Sequence, residues 1–215
     1  MSKKICLTPS NQPENKYAYG NTNEKIQCGR IAECAKTALI RCGFEVLVLQ
    51  EVELSEKVNQ SNKWGADLHI PIHTNAYNKQ VTGTRLFYKS TNEKRACEAI
   101  FKHLAPITPG KSENISYNST FYEINNAKAP VAYIEAEFHD VPAAAKWIVE
   151  NPEAIGEAIA RGVCDYFGVK YVEKSKKIYR VQIGAFSVKE NAEAQLKKAK
   201  AAGFTDAFIT EVNLG

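Results

Sequence analysis

The 215-residue sequence holds only four histidines, one methionine and two tryptophans, and it contains no Cys-x-x-Cys pair. That last absence excludes the usual zinc-ribbon and dithiol redox arrangements. The six cysteines, Cys6, Cys28, Cys34, Cys42, Cys97 and Cys164, fall among apolar neighbours in strand or helix patterns. They are expected as buried, reduced thiols in a protein made in the cytoplasm. No apolar run approaches the roughly 18 residues of a membrane span, and Met1-Ser-Lys-Lys leads into an apolar strand rather than a signal peptide. Charge of one sign is scarce as well, with a net charge of +4. Residues up to 170 carry 20 basic and 19 acidic side chains, and the remainder 8 and 5, so the excess lies in the tail. Such a tail suits a polyanionic surface without requiring one. With 44% hydrophobic and 24% charged residues and no low-complexity block, the chain is globular, sized for one α/β domain and a small appendage.

What is present alternates between strand and helix signals. Lys4–Thr8 is a short apolar strand, followed by a polar loop, Pro9–Thr22, of the long kind that is often functional. A helix follows, with Ile26, Ala32, Ala35, Ala38 and Leu39 on its apolar face, ending at Gly43 before the strand Phe44–Leu49. Further helices are expected at Glu51–Asn62, Asn92–Leu104, Pro142–Val149 and Pro152–Phe167. Further strands are expected at Leu68–Ile72, Thr84–Tyr88, Thr120–Asn125 and Ala129–Phe138, with Ala105–Thr120 as loop. This succession predicts an α/β fold over residues 1–170, a mostly parallel sheet flanked by helices on both faces. Residues 171–177 form a charged linker, and 178–215 a small C-terminal βαβ unit with strands at Ile178–Phe186 and Thr205–Val212 around the helix Val188–Ala202.

Three side chains stand out. His73 falls where the strand in Ala66–Ala76 should end, and ligands of open α/β sheets bind beyond the carboxyl ends of strands. Taken alone, such a histidine is more often structural, bonded to loop backbone. Glu24 opens the first helix, where its spacing from Asn21 also suits a capping box. Glu135 interrupts a strand otherwise fit for the core, sharing a face with Val131, Tyr133 and Glu137. Burying that carboxylate in ionised form costs several kcal/mol unless Arg, Lys or a metal site compensates. Glu137 is expected to project to solvent.

Together, Glu24, the stretch Ala-Asp-Leu-His-Ile-Pro-Ile-His-Thr-Asn-Ala and the stretch Ile-Glu-Ala-Glu-Phe resemble the zinc-dependent N-acetylmuramoyl-L-alanine amidases of the amidase-3 type, over about residues 4–168. Pro71–Ala76 matches that family's Ser-Ile-His-x-Asn-Ala strand end, and Glu135–Phe138 its Glu-x-x-Phe strand. The resemblance implies Zn2+ held by His73 and Glu24, with Glu135 as general base and Asn75 against the peptide stem. One element departs from it. The family's Asp-Pro-Gly-His gives way to Thr8-Pro9-Ser10-Asn11-Gln12, with Asn11 in the register of the histidine and Gln12 after it, so a histidine ligand is missing. The Pro-Ser-x-Gln opening resembles a variant clostridial and phage branch, which makes Gln12 the preferred third contact, with Asn11 and His139 as alternatives. His69 is about 13 Å from His73 along an extended strand, too far to share one ion. His103 is expected on a helix surface.

In the tail, Tyr-Arg-Val-Gln-Ile-Gly-Ala-Phe resembles the first half of a SPOR domain, a module that binds glycan strands of peptidoglycan. The resemblance as a whole implies a peptidoglycan hydrolase cutting between N-acetylmuramic acid and L-alanine. Its setting would be that of a phage or prophage endolysin or an autolysin, made without a signal peptide and acting on the wall after release. Peptidoglycan is the expected partner, without nucleic acid or a membrane span, and a homodimer through the C-terminal module is expected, the alternative being a tail that docks on the amidase domain. The rival expectations are a non-catalytic wall-binding protein with a degenerate metal site and an unrelated metal hydrolase on a similar sheet.

Overall fold

The computed structural model describes residues 2–111, 113–175 and 181–212. The chain divides into two compact units, residues 1–174 and 175–215. The first unit is built on six strands: β1 (Lys4–Pro9), β2 (Glu45–Val48), β3 (Leu68–Asn75), β4 (Arg85–Tyr88), β5 (Asn114–Tyr117) and β6 (Tyr133–Phe138). They form one sheet in the order β2-β1-β3-β6-β4-β5. All neighbours are parallel except β4 and β6, which run antiparallel, so the expected mostly parallel sheet carries one reversal. Its helices are α1 (Glu24–Arg41), α2 (Leu54–Trp64), α3 (Thr91–Leu104), α4 (Tyr122–Asn126), α5 (Pro142–Glu150) and α6 (Pro152–Phe167).

The pleat sorts the two faces. Leu68, Ile70 and Ile72 of β3 enter the main core with α1, α3 and α6. His69, on the opposite face, bonds Ser61 of α2 and Glu123 of α4. Helix α6 packs closely on both α1 and α3 because two of its positions are glycine. A Cβ at Gly156 would meet the Ala35 nitrogen at 2.6 Å, and one at Gly162 the Ile100 Cα at 2.3 Å. Residues 171–174, expected as the start of a linker, are bonded to this unit instead. Arg41 donates to the Val172 carbonyl (2.8 Å), and the Arg161 guanidinium lies 3.9 Å over the Tyr171 ring.

Several sequence expectations need correcting. Residues 120–125 are not a strand: Asn118 Oδ1 accepts from the Thr120 and Phe121 amides, and α4 begins at Tyr122. The 105–120 segment contains β5, an edge strand short enough to escape a hydrophobic pattern. Ile26 is 51% exposed rather than facing the core. The cap of α1 is Asn23, whose side chain accepts from the Ile26 amide, so Asn21 and Glu24 form no capping box. That frees Glu24 for another role.

The second unit contains α7 (Lys189–Ala201). The described parts of both expected tail strands, 181–186 and 205–212, have no strand structure; residues 176–180 lie outside the described residues. Val181, Phe208 and Val212 are each more than 70% exposed. A β-strand requires a paired neighbour, and two short segments around one helix do not supply a self-sufficient sheet.

All six cysteines are free, five of them buried and Cys34 half-buried. Burial pushes the Cys6 thiol up to about 11 and the Cys164 thiol up to about 12, which suppresses the reactive thiolate. Folded protein is therefore expected to react slowly with a thiol reagent, and denatured, unreduced protein to titrate six thiols. A count of four would reveal a disulfide.

Candidate active site

The strand ends and the long first loop converge on a cleft of about 640 Å³. His73 reaches it from β3, Glu135 from β6, and Glu24 from the first turn of α1. His73 and Glu135 are paired in register across adjacent parallel strands. His73 Nδ1 and Glu24 Oε1 face each other at 2.9 Å, and the Thr74 amide donates to the same carboxylate oxygen at 3.3 Å. Asn15 Nδ2 donates to Glu24 Oε2 at 2.6 Å, and the His73 ring stacks on Tyr133 with centroids 5.0 Å apart. Glu24 is thus held from behind by Asn15 and Thr74.

Electrostatics separate the three groups. Burial raises the Glu24 pKa, but the bonds from His73, Asn15 and Thr74 outweigh it and hold the carboxyl below its ordinary range. Burial likewise disfavours a charged His73, yet Glu24 and Glu135 leave its pKa above that of a free imidazole. Glu135 goes the other way. Burial pushes it up to about 8, reinforced by the negative charge of Glu24 and opposed by His73 and Arg85. Arg85, opposite Glu135 in the antiparallel register, opposes the upward shift only in part, and among the described residues no ion pair joins the two side chains. Among the described residues, the buried Glu135 Oε2 and Arg85 Nε atoms have no hydrogen-bond partner.

Gln12 lies on the cleft wall, its Oε1 accepting from Ser10 Oγ (3.2 Å) and Asn15 Nδ2 (3.3 Å). Asn15 therefore ties Gln12 to Glu24. Asn11 and Asn75 also line the cleft, and Asn75 Oδ1 accepts from the Ala76 amide. His139 is in the same wall, stacked on Tyr17 at 5.0 Å, with Nδ1 at 3.0 Å from the Thr74 carbonyl. Burial lowers its pKa.

Glu137 does not project to solvent. It is fully buried, and its Oε1 accepts from the Gly83 and Phe138 amides, tying down the end of the loop between β3 and β4. A break in the β3–β6 register between His73 and Asn75 spoils simple alternation here. Sequence reasoning also missed Asn15, Arg85 and the buried group beneath the cleft. In that group Glu123 Oε1 accepts from Thr8 (2.6 Å) and meets His69 Nε2 at 3.0 Å, and Lys57 donates to the Pro9 carbonyl (2.7 Å). Burial opposes the Glu123 charge, but His69 and Thr8 hold its carboxyl below the ordinary range. His103 is on α3, bonded to Asp165.

Among the described residues, no three His, Cys, Asp or Glu side chains are arranged to hold a metal ion. The donors present still fit a divalent cation in part. An imidazole nitrogen and a carboxylate oxygen converge at 2.9 Å, and the orphaned Glu135 oxygen lies in a site that lacks a full counter-charge. The cleft wall also holds the amide oxygens of Gln12 and Asn11 and the imidazole of His139.

Comparison with known proteins bears on the family and the fold. The family profile for N-acetylmuramoyl-L-alanine amidase matches residues 5–165, and that of the SPOR domain residues 142–211. Residues 142–167 of the second match are helices of the first unit. A sporulation-specific N-acetylmuramoyl-L-alanine amidase of Bacillus subtilis (strain 168) is 26% identical over 219 residues, 94% of this chain and 82% of the relative. The N-acetylmuramoyl-L-alanine amidase CwlM of Bacillus licheniformis is 27% identical over 169 residues, 74% of this chain and 63% of the relative. In structure, the chain is similar to the catalytic domain of the amidase CwlV from Bacillus (Paenibacillus) polymyxa var. colistinus (TM-score 0.70, 19% identity, 78% of this chain and 99% of that one). It is similar also to the amidase AmiC2 of Nostoc punctiforme (TM-score 0.68, 18% identity, 77% and 97%). These two likenesses concern the fold; the profile match, over three quarters of the sequence, carries the assignment, and the chain belongs to the N-acetylmuramoyl-L-alanine amidase family.

Proposed function

We propose that the chain hydrolyses the amide between N-acetylmuramic acid and L-alanine in bacterial peptidoglycan, with zinc held by His73, Glu24 and Gln12. The observation that carries this reading is the 2.9 Å approach of His73 and Glu24 beside the buried, protonation-prone Glu135. When bound, zinc would supply polarisation of the amide carbonyl and activation of water. Glu135 takes a proton from the attacking water and delivers it to the departing alanine nitrogen. Asn15 and the Thr74 amide keep Glu24 turned toward His73, and Tyr133 keeps the imidazole ring in plane. Asn75 contributes an amide to the peptide stem from the cleft wall. The test is digestion of purified walls. Release of new amino-terminal alanine without new reducing sugar ends supports an amidase, and new reducing ends alone would overturn it.

The incomplete metal cluster favours one second reading, a wall-binding protein that has lost catalysis with its first histidine. Purified protein that binds walls, retains no zinc after dialysis and releases no alanine would establish that alternative.

The tail is proposed to serve wall binding and homodimerisation, as a SPOR-like module with the amidase domain in residues 1–170, and the enzyme to act as an endolysin or autolysin once it reaches the wall. Exposed Val181, Phe208 and Val212, on segments without a strand partner among the described residues, support pairing with a second copy about a two-fold axis. Full-length protein is expected to sediment as a dimer at high micromolar concentration, and protein ending at Lys174 as a monomer with weaker wall affinity. Monomeric full-length protein would rule out this arrangement.

A further inference from the structure

Away from the His73–Glu24 pair, the cleft wall contains an aromatic and a carboxylate with no part in the proposed chemistry. Tyr122 and Glu123 are consecutive on α4, and both line the cleft. Tyr122 is 42% exposed. The residue before it is immobilised: Phe121 packs on Tyr133 with centroids 4.5 Å apart and edge-on to Phe87 at 5.3 Å. The base of Tyr122 is thus fixed while its ring remains open to a ligand.

Glu123 is 3% exposed, and both of its hydrogen bonds, from Thr8 and with His69, involve Oε1. Among the described residues Oε2 accepts none, although the side chain lines the cleft. An anchored carboxylate of this kind retains acceptor capacity for an N–H or O–H donor. A half-exposed aromatic face beside a fixed acceptor matches a ring with an apolar face and an amide N–H.

We propose that Tyr122 and Glu123 form a saccharide subsite, in which the Tyr122 ring packs on the pyranose of an N-acetylhexosamine and Glu123 Oε2 accepts from its acetamido N–H. The choice of sugar rests on the amidase reading, since the family's substrate carries such a ring on the acyl side of the scissile amide. The subsite would make the enzyme select muramoyl over other acyl peptides. Binding energy gathered there, remote from the reacting amide, would be realised chiefly in KM if substrate and transition state use it equally.

Two measurements test this. The peptide-free disaccharide of N-acetylglucosamine and N-acetylmuramic acid is titrated by calorimetry into wild-type, Tyr122→Ala, Tyr122→Phe and Glu123→Gln protein. Tyr122→Ala is expected to weaken binding about tenfold, consistent with loss of about 1.4 kcal/mol, Glu123→Gln to weaken it several-fold, and Tyr122→Phe to bind within about twofold of wild type. Hydrolysis of muramoyl-dipeptide is then compared with that of lactoyl-dipeptide, which keeps the same amide without the pyranose. Tyr122→Ala should raise KM for the first and leave the second unchanged. No binding of the disaccharide by wild type, unchanged affinity in Tyr122→Ala, or an equal loss on both substrates (the sign of a peptide site) would each overturn the subsite. Disaccharide binding that depends on Tyr122 without any release of alanine would retain the sugar site and overturn the amidase reading alone.

Discussion

Replacing Glu135 by glutamine is expected to lower wall hydrolysis about 10³-fold, within the usual range for losing a general base. Glutamine keeps the shape of the side chain and its place between His73 and Arg85, but its amide cannot accept the proton of water. The measurement is alanine release per mole of protein, with zinc content and circular dichroism as controls. Hydrolysis at the wild-type rate would remove Glu135 from the mechanism. A second consequence concerns stability. In metal-free protein the Glu135 carboxyl has its pKa raised from 4.5 to about 8, so the folded state binds its proton more tightly than the unfolded chain does. This group's contribution to stability is fully present below the unfolded pKa and is lost as pH rises through about 8. Glu135→Gln removes the titration. Metal-free wild type should therefore lose more thermal stability than metal-free Glu135→Gln between pH 5 and pH 8, two values set about the ends of that window. Parallel melting curves across the range would show that Glu135 is not the titrating group.

The parts of the fold written in local pattern could be read before the coordinates. The apolar runs of β1, β3 and β6 and the Ala-rich face of α1 are dictated by burial, and each was visible from spacing alone. Elements set by specific hydrogen bonds were not. Helix α4 starts where Asn118 accepts from the Thr120 and Phe121 amides, and four-residue β5 depends on β4 for its pairing. The antiparallel position of β4 is likewise a matter of tertiary pairing. In the candidate site, Glu135 stood out by interrupting an apolar strand and His73 by falling at a strand end, whereas Glu24 suited a helix start and entered through the family resemblance. Asn15, within a polar loop, had nothing to distinguish it, although its 2.6 Å bond orients Glu24. Glu137 misled for a different reason: strand alternation assumes a regular register, and the register breaks beside it. In the tail, sequence similarity to a sheet-forming module implied strands for which the described residues of the second unit supply no hydrogen-bond partner.

Replacing either His73 or Glu24 by alanine is expected to empty the metal site and abolish alanine release. With one of two converging donors gone, an amide oxygen at Gln12 has no imidazole–carboxylate pair to complete. Removal of the Glu24 carboxylate also leaves the Thr74 amide and the His73 imidazole without their Glu24 partner, whereas Asn15 keeps its bond to Gln12. Glu24→Ala should consequently melt below wild type even without metal, by about 1–3 kcal/mol for the stranded groups. His73→Ala removes the imidazole but leaves Asn15 and Thr74 bonded to Glu24. The two variants, equal in zinc loss, should thus differ in metal-free stability. The converse experiment restores nitrogen to the site. Asn11→His or Gln12→His should tighten zinc, because imidazole is a better zinc donor than an amide oxygen. Zinc content after dialysis against a graded chelator series gives the readout for all four variants. If none changes zinc retention, the ion is bound elsewhere and the assignment of His73, Glu24 and Gln12 fails. If only the alanine variants change it, the vacancy at Asn11 is not the weak point, and His139, its Nδ1 held by the Thr74 carbonyl, becomes the donor to substitute next.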